Sequence, residues 1–301
     1  MGNDSKKIGF IGLGIMGAPM AKNLMKAGYS LIAYDIDATR IDSLNEQGAD
    51  RGTSIADVSR RADILITMVP DSPDVESVVL GSDGIAENAG AGMIVIDMST
   101  ISPQVTKHVG KVLAEKSVDL LDAPVSGGIT GAEEGTLTIL VGGEETVFER
   151  WRPILDVMGK KVTLMGPTGS GQMAKVCNQI IVALNLQAAC EGLIVAAKSG
   201  LDVQRFLEGA MEGSASSFML QYVSERVLKG DYTPGFRIRL EQKDLRLCLQ
   251  TAEELQIPLP GTSLVNQLFR SREAAGKEDE EGNQALMRVY EELAHFALSK
   301  L

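Results

Sequence analysis

The sequence predicts an α/β domain built on a doubly wound, largely parallel sheet, followed by an all-α domain, the two joined by a long helix. Three observations carry this. Short β-branched runs alternate with helical patterns through the first half, strand-like runs nearly vanish after Gly166, and residues 172 to 198 form one helical stretch. At 301 residues and 44% hydrophobic, the chain can bury the cores of two ordinary domains.

The strand runs are, in order, "KIGFIG", "SLIAYD", "ADILITMV", "MIVIDMST", "VDLLDAPV", "TLTILVGG" and "KVTLMG". They are unbroken rather than alternating, as expected of strands covered on both faces, so a parallel sheet with helices on each side follows. The long helix would reach about 40 Å at the usual rise per residue. Four or five further helices are expected up to Leu301, punctuated by "DYTPGF" at 231–236 and "IPLPGTS" at 257–263. Residues 1 to 6 read as a frayed leader, since "MGNDSKKIGF" contains no apolar run of signal type.

Composition removes several function classes. A net charge of -11 argues against a nucleic-acid or anionic-membrane surface, either of which needs a basic face. No window approaches 18 uninterrupted apolar residues, so a soluble protein is expected. Cys177, Cys190 and Cys248 lack CxxC spacing and read as reduced, buried thiols of a cytoplasmic protein, with no metal site implied. His108 and His295 lie in charged helical patterns without a carboxylate or hydroxyl at motif spacing, which argues for surface positions and against histidine chemistry.

Gly12, Gly14 and Gly17 form GxGxxG directly after a strand and at the opening of a helix that Gly28 can cap. In that context the pattern is the dinucleotide fingerprint of a Rossmann-type domain: Gly12 permits the tight turn, Gly14 lets a pyrophosphate approach, and Gly17 lets helix and strand pack closely. Leu13, Ile15 and Met16 complete this cofactor-binding loop. Asp35 ends the second strand, where a carboxylate can accept hydrogen bonds from adenine ribose hydroxyls; Asp37 adds negative charge that favours NAD over NADP, although Arg40 could swing in. The stretches "MVPDSP" at 68–73 and "DMSTISP" at 97–103 end further strands at the edge where ligands of open α/β sheets bind, making Met68, Val69, Pro70 and Thr100 cofactor candidates. Pattern alone leaves helix capping by Ser72 and Ser102 equally open.

Between Gln172 and Ala197 only Lys175 and Glu191 are charged. Lys175, Asn178 and Asn185 share a helical stripe, and burying a lone ammonium costs several kcal/mol unless it is paired or deprotonated. One reading is a lysine that snorkels to solvent. The other is a catalytic acid, because a carbonyl receiving hydride develops alkoxide charge and then needs a proton. "DAPVSGG" at 122–128 offers a complementary anion cradle through the Ser126 hydroxyl and the Gly127 and Gly128 amides, or else a plain glycine loop.

Together "GFIGLGIMGAPMAKNL", "DMSTISP", "DAPVSGG", "GAEEGTL", "GSGQMAKVCNQ" and "FRIRLEQKDL" resemble the β-hydroxyacid dehydrogenase (3-hydroxyisobutyrate dehydrogenase-like) family over essentially the whole chain. The resemblance implies an NAD-dependent enzyme interconverting a small 3-hydroxy acid and its semialdehyde, with the active site in a cleft between a Rossmann domain at 1–167 and a helical domain at 168–301 that assembles dimers or tetramers. It carries Lys175 over as the catalytic residue, and Asn178, Ser126, Gly127 and Gly128 as substrate ligands. Thr100 and Lys243 become cofactor contacts, and Phe236 a residue lining the cleft. Taken alone, Lys243 would read as a surface residue of a charged helix. Reduction of tartronate semialdehyde is the member activity it is most similar to, with 3-hydroxyisobutyrate oxidation the rival. Arg237 and Arg239 are expected either to read a second substrate carboxylate or to pair with Glu241. A non-catalytic dinucleotide-binding scaffold is the alternative of another class. A 6-phosphogluconate-type decarboxylase would need a longer helical domain than this one.

Overall fold

The structure, a computed structural model, describes residues 6–298. The leader expected at residues 1 to 5 lies outside the described residues, but Lys6 is not frayed: its ammonium sits 4.1 Å over the Trp151 ring. A cation over an aromatic face accounts for its placement.

The first half runs β1 (Lys7–Ile11), α1 (Gly17–Lys26), β2 (Ser30–Tyr34), α2 (Ala38–Asn45), β3 (Asp50–Arg51), α3 (Ile55–Arg61), β4 (Ile64–Thr67), α4 (Ser72–Leu80), α5 (Ile85–Asn88) and β5 (Ile94–Asp97). It continues through α6 (Pro103–Glu115), β6 (Asp119–Asp122), β7 (Val125–Ser126), α7 (Gly128–Glu134), β8 (Leu137–Gly142), α8 (Glu145–Met158) and β9 (Gly159–Gly166). The strands lie in the order β3-β2-β1-β4-β5-β6-β8-β7, with β9 paired to β8. Every pairing from β3 to β6 is parallel, and β8 runs antiparallel to β6 and β7. Chain order reverses between β1 and β4, which opens the crevice where such sheets bind ligands. The two-residue strands β3 and β7 were not expected, since neither contains an apolar run long enough to register.

Both sheet faces are dry, which explains the unbroken apolar runs. Ile64 and Ile66 join Ile8, Phe10, Ile94 and Ile96 in one cluster, while Leu65 and Val95 join Val58, Val75 and Val79 in the cluster on the opposite face. Each such side chain contributes about 1.5–3 kcal/mol by leaving water. Helix α1 stops at Ala27 because Gly28, at φ 90°, turns the chain left-handed. The Gly28 amide then donates to the Met25 carbonyl and the Tyr29 amide to that of Leu24, closing a Schellman motif.

The second half is helical: α9 (Ser170–Lys198), α10 (Val203–Glu212), α11 (Phe218–Val227), α12 (Ile238–Glu254), α13 (Pro260–Ala274), a 3₁₀ turn at Asn283–Ala285, and α14 (Leu286–Ala294). The chain divides into two compact units, Met1–Lys175 and Val176–Leu301, and the division falls inside α9. In the second unit Ala183, Leu186, Cys190, Leu193 and Ala197 of α9 recur at helical spacing and share a core with Leu207, Val223, Leu245, Phe269 and Leu286. By length and composition α9 alone among the described helices could cross a membrane, but Asn178, Gln179 and Asn185 interrupt it and 44% of its most apolar window is buried. All three cysteines are free, yet Cys177 is exposed rather than buried, because it lies off the packed stripe that takes Cys190. Both His108 and His295 are exposed.

Close approach of α3 to the sheet depends on a missing side chain. A Cβ on Gly9 would lie 2.5 Å from Val58 Cγ1, 2.8 Å from Leu65 Cδ2 and 3.1 Å from Ala62 Cβ. Gly9→Ala should therefore destabilise by about 1–3 kcal/mol through overpacking, read as a lowered midpoint in denaturant.

Candidate active site

The glycine loop after β1 is built by contacts that only hydrogen permits. Gly12 has φ 97°, and a Cβ there would strike the Met68 carbonyl, while a Cβ on Gly17 would strike the Gly12 carbonyl. Around Gly14 the space is open, the nearest atom to an added Cβ being an Arg40 guanidinium nitrogen at 4.0 Å. No side chain caps α1; the Ala18 amide donates to the Gly14 carbonyl at 3.0 Å and Pro19 has no N–H, so an anion here would be met by amides of the glycine loop up to Gly17 rather than by the next ones in the helix. This cradle fits the pyrophosphate of a dinucleotide. Leu13 is buried, Met16 half-buried and Ile15 exposed beside it.

Asp35 stands at the end of β2 and is buried. Its Oδ2 accepts from the Leu13 amide at 2.6 Å and its Oδ1 from the Asp37 amide at 2.8 Å, leaving each oxygen a second lone pair. Asp37 caps α2, and the Thr39 hydroxyl and amide hold its carboxyl below the usual carboxylate range, with Arg40 adding to the effect. Arg40 bridges the pair, at 3.5 Å from Asp35 Oδ2 and 3.3 Å from Asp37 Oδ2.

Beyond β4 and β5, Met68 and Val69 are half-buried and Pro70 is exposed, with Thr100 half-buried on the neighbouring strand end. The Val69 amide donates to Ser99 Oγ at 3.0 Å, binding the two strand ends together. The capping alternative is settled differently for the two serines. Ser102 caps α6, but α4 is capped by Asp71, and Ser72 instead accepts from the Ser102 amide at 3.0 Å.

Two residues missed in the sequence fix the start of α9. Asp122, at the end of β6, accepts from the Gly169 amide at 2.7 Å on Oδ1 and from the Gln172 amide at 2.9 Å on Oδ2. Burial pushes its carboxyl up to about 6 despite those two donors, and neighbouring Asp97 adds to the rise. Gln172 spans from α9 to the end of β5, donating to the Ser99 carbonyl at 2.7 Å and accepting from the Ile101 amide at 3.1 Å. The turn that follows carries Lys175, a residue buried at 6% exposure rather than snorkelling to water. The available signal was a carboxylate closing a strand opposite a glycine-rich helix start, "PTGSGQ".

Past Asp122 the chain turns into the cradle. Gly127 at φ 135° and Gly128 at φ 62° occupy backbone regions that L side chains avoid, and nothing lies within 4 Å of an added Cβ on Gly128. Ser126 is half-buried, both glycines are exposed, and no side chain caps α7 behind them. Two adjacent unobstructed amides beside a hydroxyl can receive a carboxylate.

In the helical unit, Asn178 Nδ2 donates to Gln179 Oε1 at 2.9 Å, and Gln179 Nε2 donates to Asp244 Oδ2 at 2.6 Å. The other Asp244 oxygen lies 2.8 Å from the Lys243 ammonium, whose side chain is only 11% exposed. Lys243 is therefore no surface lysine; the adjacent buried carboxylate explains why. Arg237 and Arg239 both engage Asp279, at 3.3 and 2.9 Å, and not Glu241, which is buried and accepts from Asn283. Phe236 is half-buried, and its carbonyl accepts from the Asn283 amide. Among the described residues no cluster of His, Cys, Asp or Glu is arranged to hold a metal ion.

Residues 7–166 match the model of the NAD binding domain of 6-phosphogluconate dehydrogenase, and residues 169–290 that of the NAD-binding domain of NADP-dependent 3-hydroxyisobutyrate dehydrogenase. The chain is 45% identical to 2-hydroxy-3-oxopropionate reductase of Escherichia coli (strain K12), covering 97% of this chain and 100% of that one. It is 38% identical to 2-(hydroxymethyl)glutarate dehydrogenase of Eubacterium barkeri, over 98% of both chains. The crystal structure of 3-hydroxyisobutyrate dehydrogenase from Salmonella typhimurium superposes with a TM-score of 0.85 at 29% identity, over 95% of this chain and 100% of that one.

Proposed function

The chain belongs to the 3-hydroxyisobutyrate dehydrogenase-like family of β-hydroxyacid dehydrogenases, and from that premise we propose that it reduces tartronate semialdehyde to glycerate with NADH. One observation carries the reading: a buried lysine stands on a helix turn bound to the carboxyl edge of a sheet that also bears a dinucleotide cradle. Similarity to the Escherichia coli reductase supports the choice of substrate, and 3-hydroxyisobutyrate or another short hydroxy acid is the second reading.

In this proposal residues 1–167 form the dinucleotide-binding domain and residues 168–301 the substrate and oligomerisation domain. Gly12, Leu13, Gly14, Ile15, Met16 and Gly17 hold the pyrophosphate, Asp35 the adenine ribose, and Met68, Val69, Pro70, Thr100 and Lys243 the rest of the cofactor. When bound, NADH supplies a hydride to the aldehyde carbon. Ser126, Gly127 and Gly128 hold the substrate carboxylate, and Asn178 orients the substrate. As the carbonyl oxygen gains negative charge, Lys175 stabilises it and donates a proton to it, leaving glycerate and a neutral amine that solvent reprotonates. Engagement of Arg237 and Arg239 by Asp279 supports a substrate with one carboxylate rather than two. A non-catalytic scaffold would have no use for a buried proton donor.

Asp35 and Asp37, with one arginine between them, favour NADH, because a 2′-phosphate would meet net negative charge. Exposed Ile181, Val195, Leu201, Phe218 and Leu293 in the helical unit support a homodimer or homotetramer, which we place in the cytoplasm.

Two measurements test the reading. Lys175→Ala should bind NADH normally, followed by nicotinamide fluorescence, yet lose at least about 10²-fold in kcat; near-normal turnover refutes the proton-donor role. A panel of semialdehydes followed by NADH absorbance should give tartronate semialdehyde the highest kcat/KM, and a higher value with NADH than with NADPH. Inactivity on tartronate semialdehyde beside brisk turnover of 3-hydroxyisobutyrate would reassign the substrate, and preference for NADPH would reassign the cofactor.

A further inference from the structure

We infer that Asp122 is a positioning residue for Lys175, its buried carboxylate fixing where the lysine-bearing turn of α9 stands on the sheet edge. This rests on the reading of Lys175 as proton donor.

The carboxylate is enclosed without slack. It is fully buried, it accepts from the Gly169 and Gln172 amides, and glycines line it from two elements. A Cβ on Gly142 of β8 would strike Oδ1, and one on Gly171 of α9 would lie 2.5 Å from the Asp122 carbonyl and 2.9 Å from Oδ2. Gln172 forms a second strut to the Ser99 and Ile101 backbone. Lys175 follows Gln172 by less than one helical turn, so its Cα moves with the clamp.

The choice of a charged group also points to position rather than bulk stability. A neutral acceptor would avoid the cost of burying charge, which is large enough to push the Asp122 carboxyl up to about 6. What the carboxylate supplies instead is a pair of short charge-assisted bonds at the positive end of a helix, a stiffer anchor than a hydroxyl or amide cap. Proton delivery is sensitive to that stiffness, since displacement of an acid by about 1 Å can cost about 10²-fold in rate.

The test uses the full-length enzyme at pH 8, where Asp122 is ionised, with NADH and the best substrate of the semialdehyde panel. Asp122→Asn keeps the shape but turns an amide toward a backbone N–H; Gly171→Ala keeps the carboxylate but crowds it. Both should lower kcat about 10- to 10²-fold and leave the NADH Kd within about 2-fold. Both should also raise the solvent deuterium isotope effect on kcat, because proton delivery becomes limiting. That ratio does not depend on the fraction of active protein, so partial misfolding cannot mimic it. A lower kcat with an unchanged isotope effect in the variants that fold, or a proportional loss of NADH affinity, overturns the inference. Lys175→Ala separates the two claims. If it turns over normally, the reading of Lys175 fails; if it is inactive while the isotope effects stay flat, only the role of Asp122 fails.

Discussion

The start of α9 is held to the sheet by one buried carboxylate, and much of the rest is arranged to permit it. Asp122 receives two backbone amides that a helix start would otherwise leave without intrahelical partners. Gly142 and Gly171 give up their side chains to make room, and Gln172 extends the same junction to the strand end beyond β5. A lysine that would be costly to bury on a free helix thereby stands on a turn whose place is set by the sheet.

The same edge gathers the other parts of the candidate site in the first unit. Parallel pairing from β3 to β6 brings the carboxyl ends of β1, β4, β5 and β6 to one side, so the glycine loop, Val69, Ser99 and Asp122 share it. Hydrogen bonds between successive strand ends, from the Val69 amide to Ser99 and from the Ser102 amide to Ser72, tie the edge laterally. In the helical unit a comparable economy holds, with Asp244 serving both the Lys243 ammonium and, through Gln179, the Asn178 amide.

Much of this was legible in the sequence. Unbroken apolar runs announced strands covered on both faces, and the loss of such runs after Gly166 announced the helical half. The glycines at 12, 14 and 17 could be assigned separate tasks because each task excludes a Cβ for a different reason; contacts exclude a Cβ at Gly12 and Gly17, while Gly14 faces open space. Tertiary polar partners were not legible. Nothing local in "QKDL" shows that Asp244 is buried, and Lys243 largely so with it, and Arg237 and Arg239 found Asp279, some 40 residues away, rather than nearby Glu241. Asp122 escaped notice for the same reason: its donors lie 47 and 50 residues downstream, and a strand-terminal aspartate resembles any turn residue. Cys177 was misplaced because an apolar helix conceals which of its faces is packed.

The most direct measurement is a crystal structure of the protein with NADH and glycerate, the proposed product. The account predicts the Lys175 Nζ within about 2.6–3.2 Å of the primary hydroxyl oxygen of glycerate, the distance proton transfer requires. Another side chain at that oxygen, with Lys175 turned away from the ligand, would contradict it.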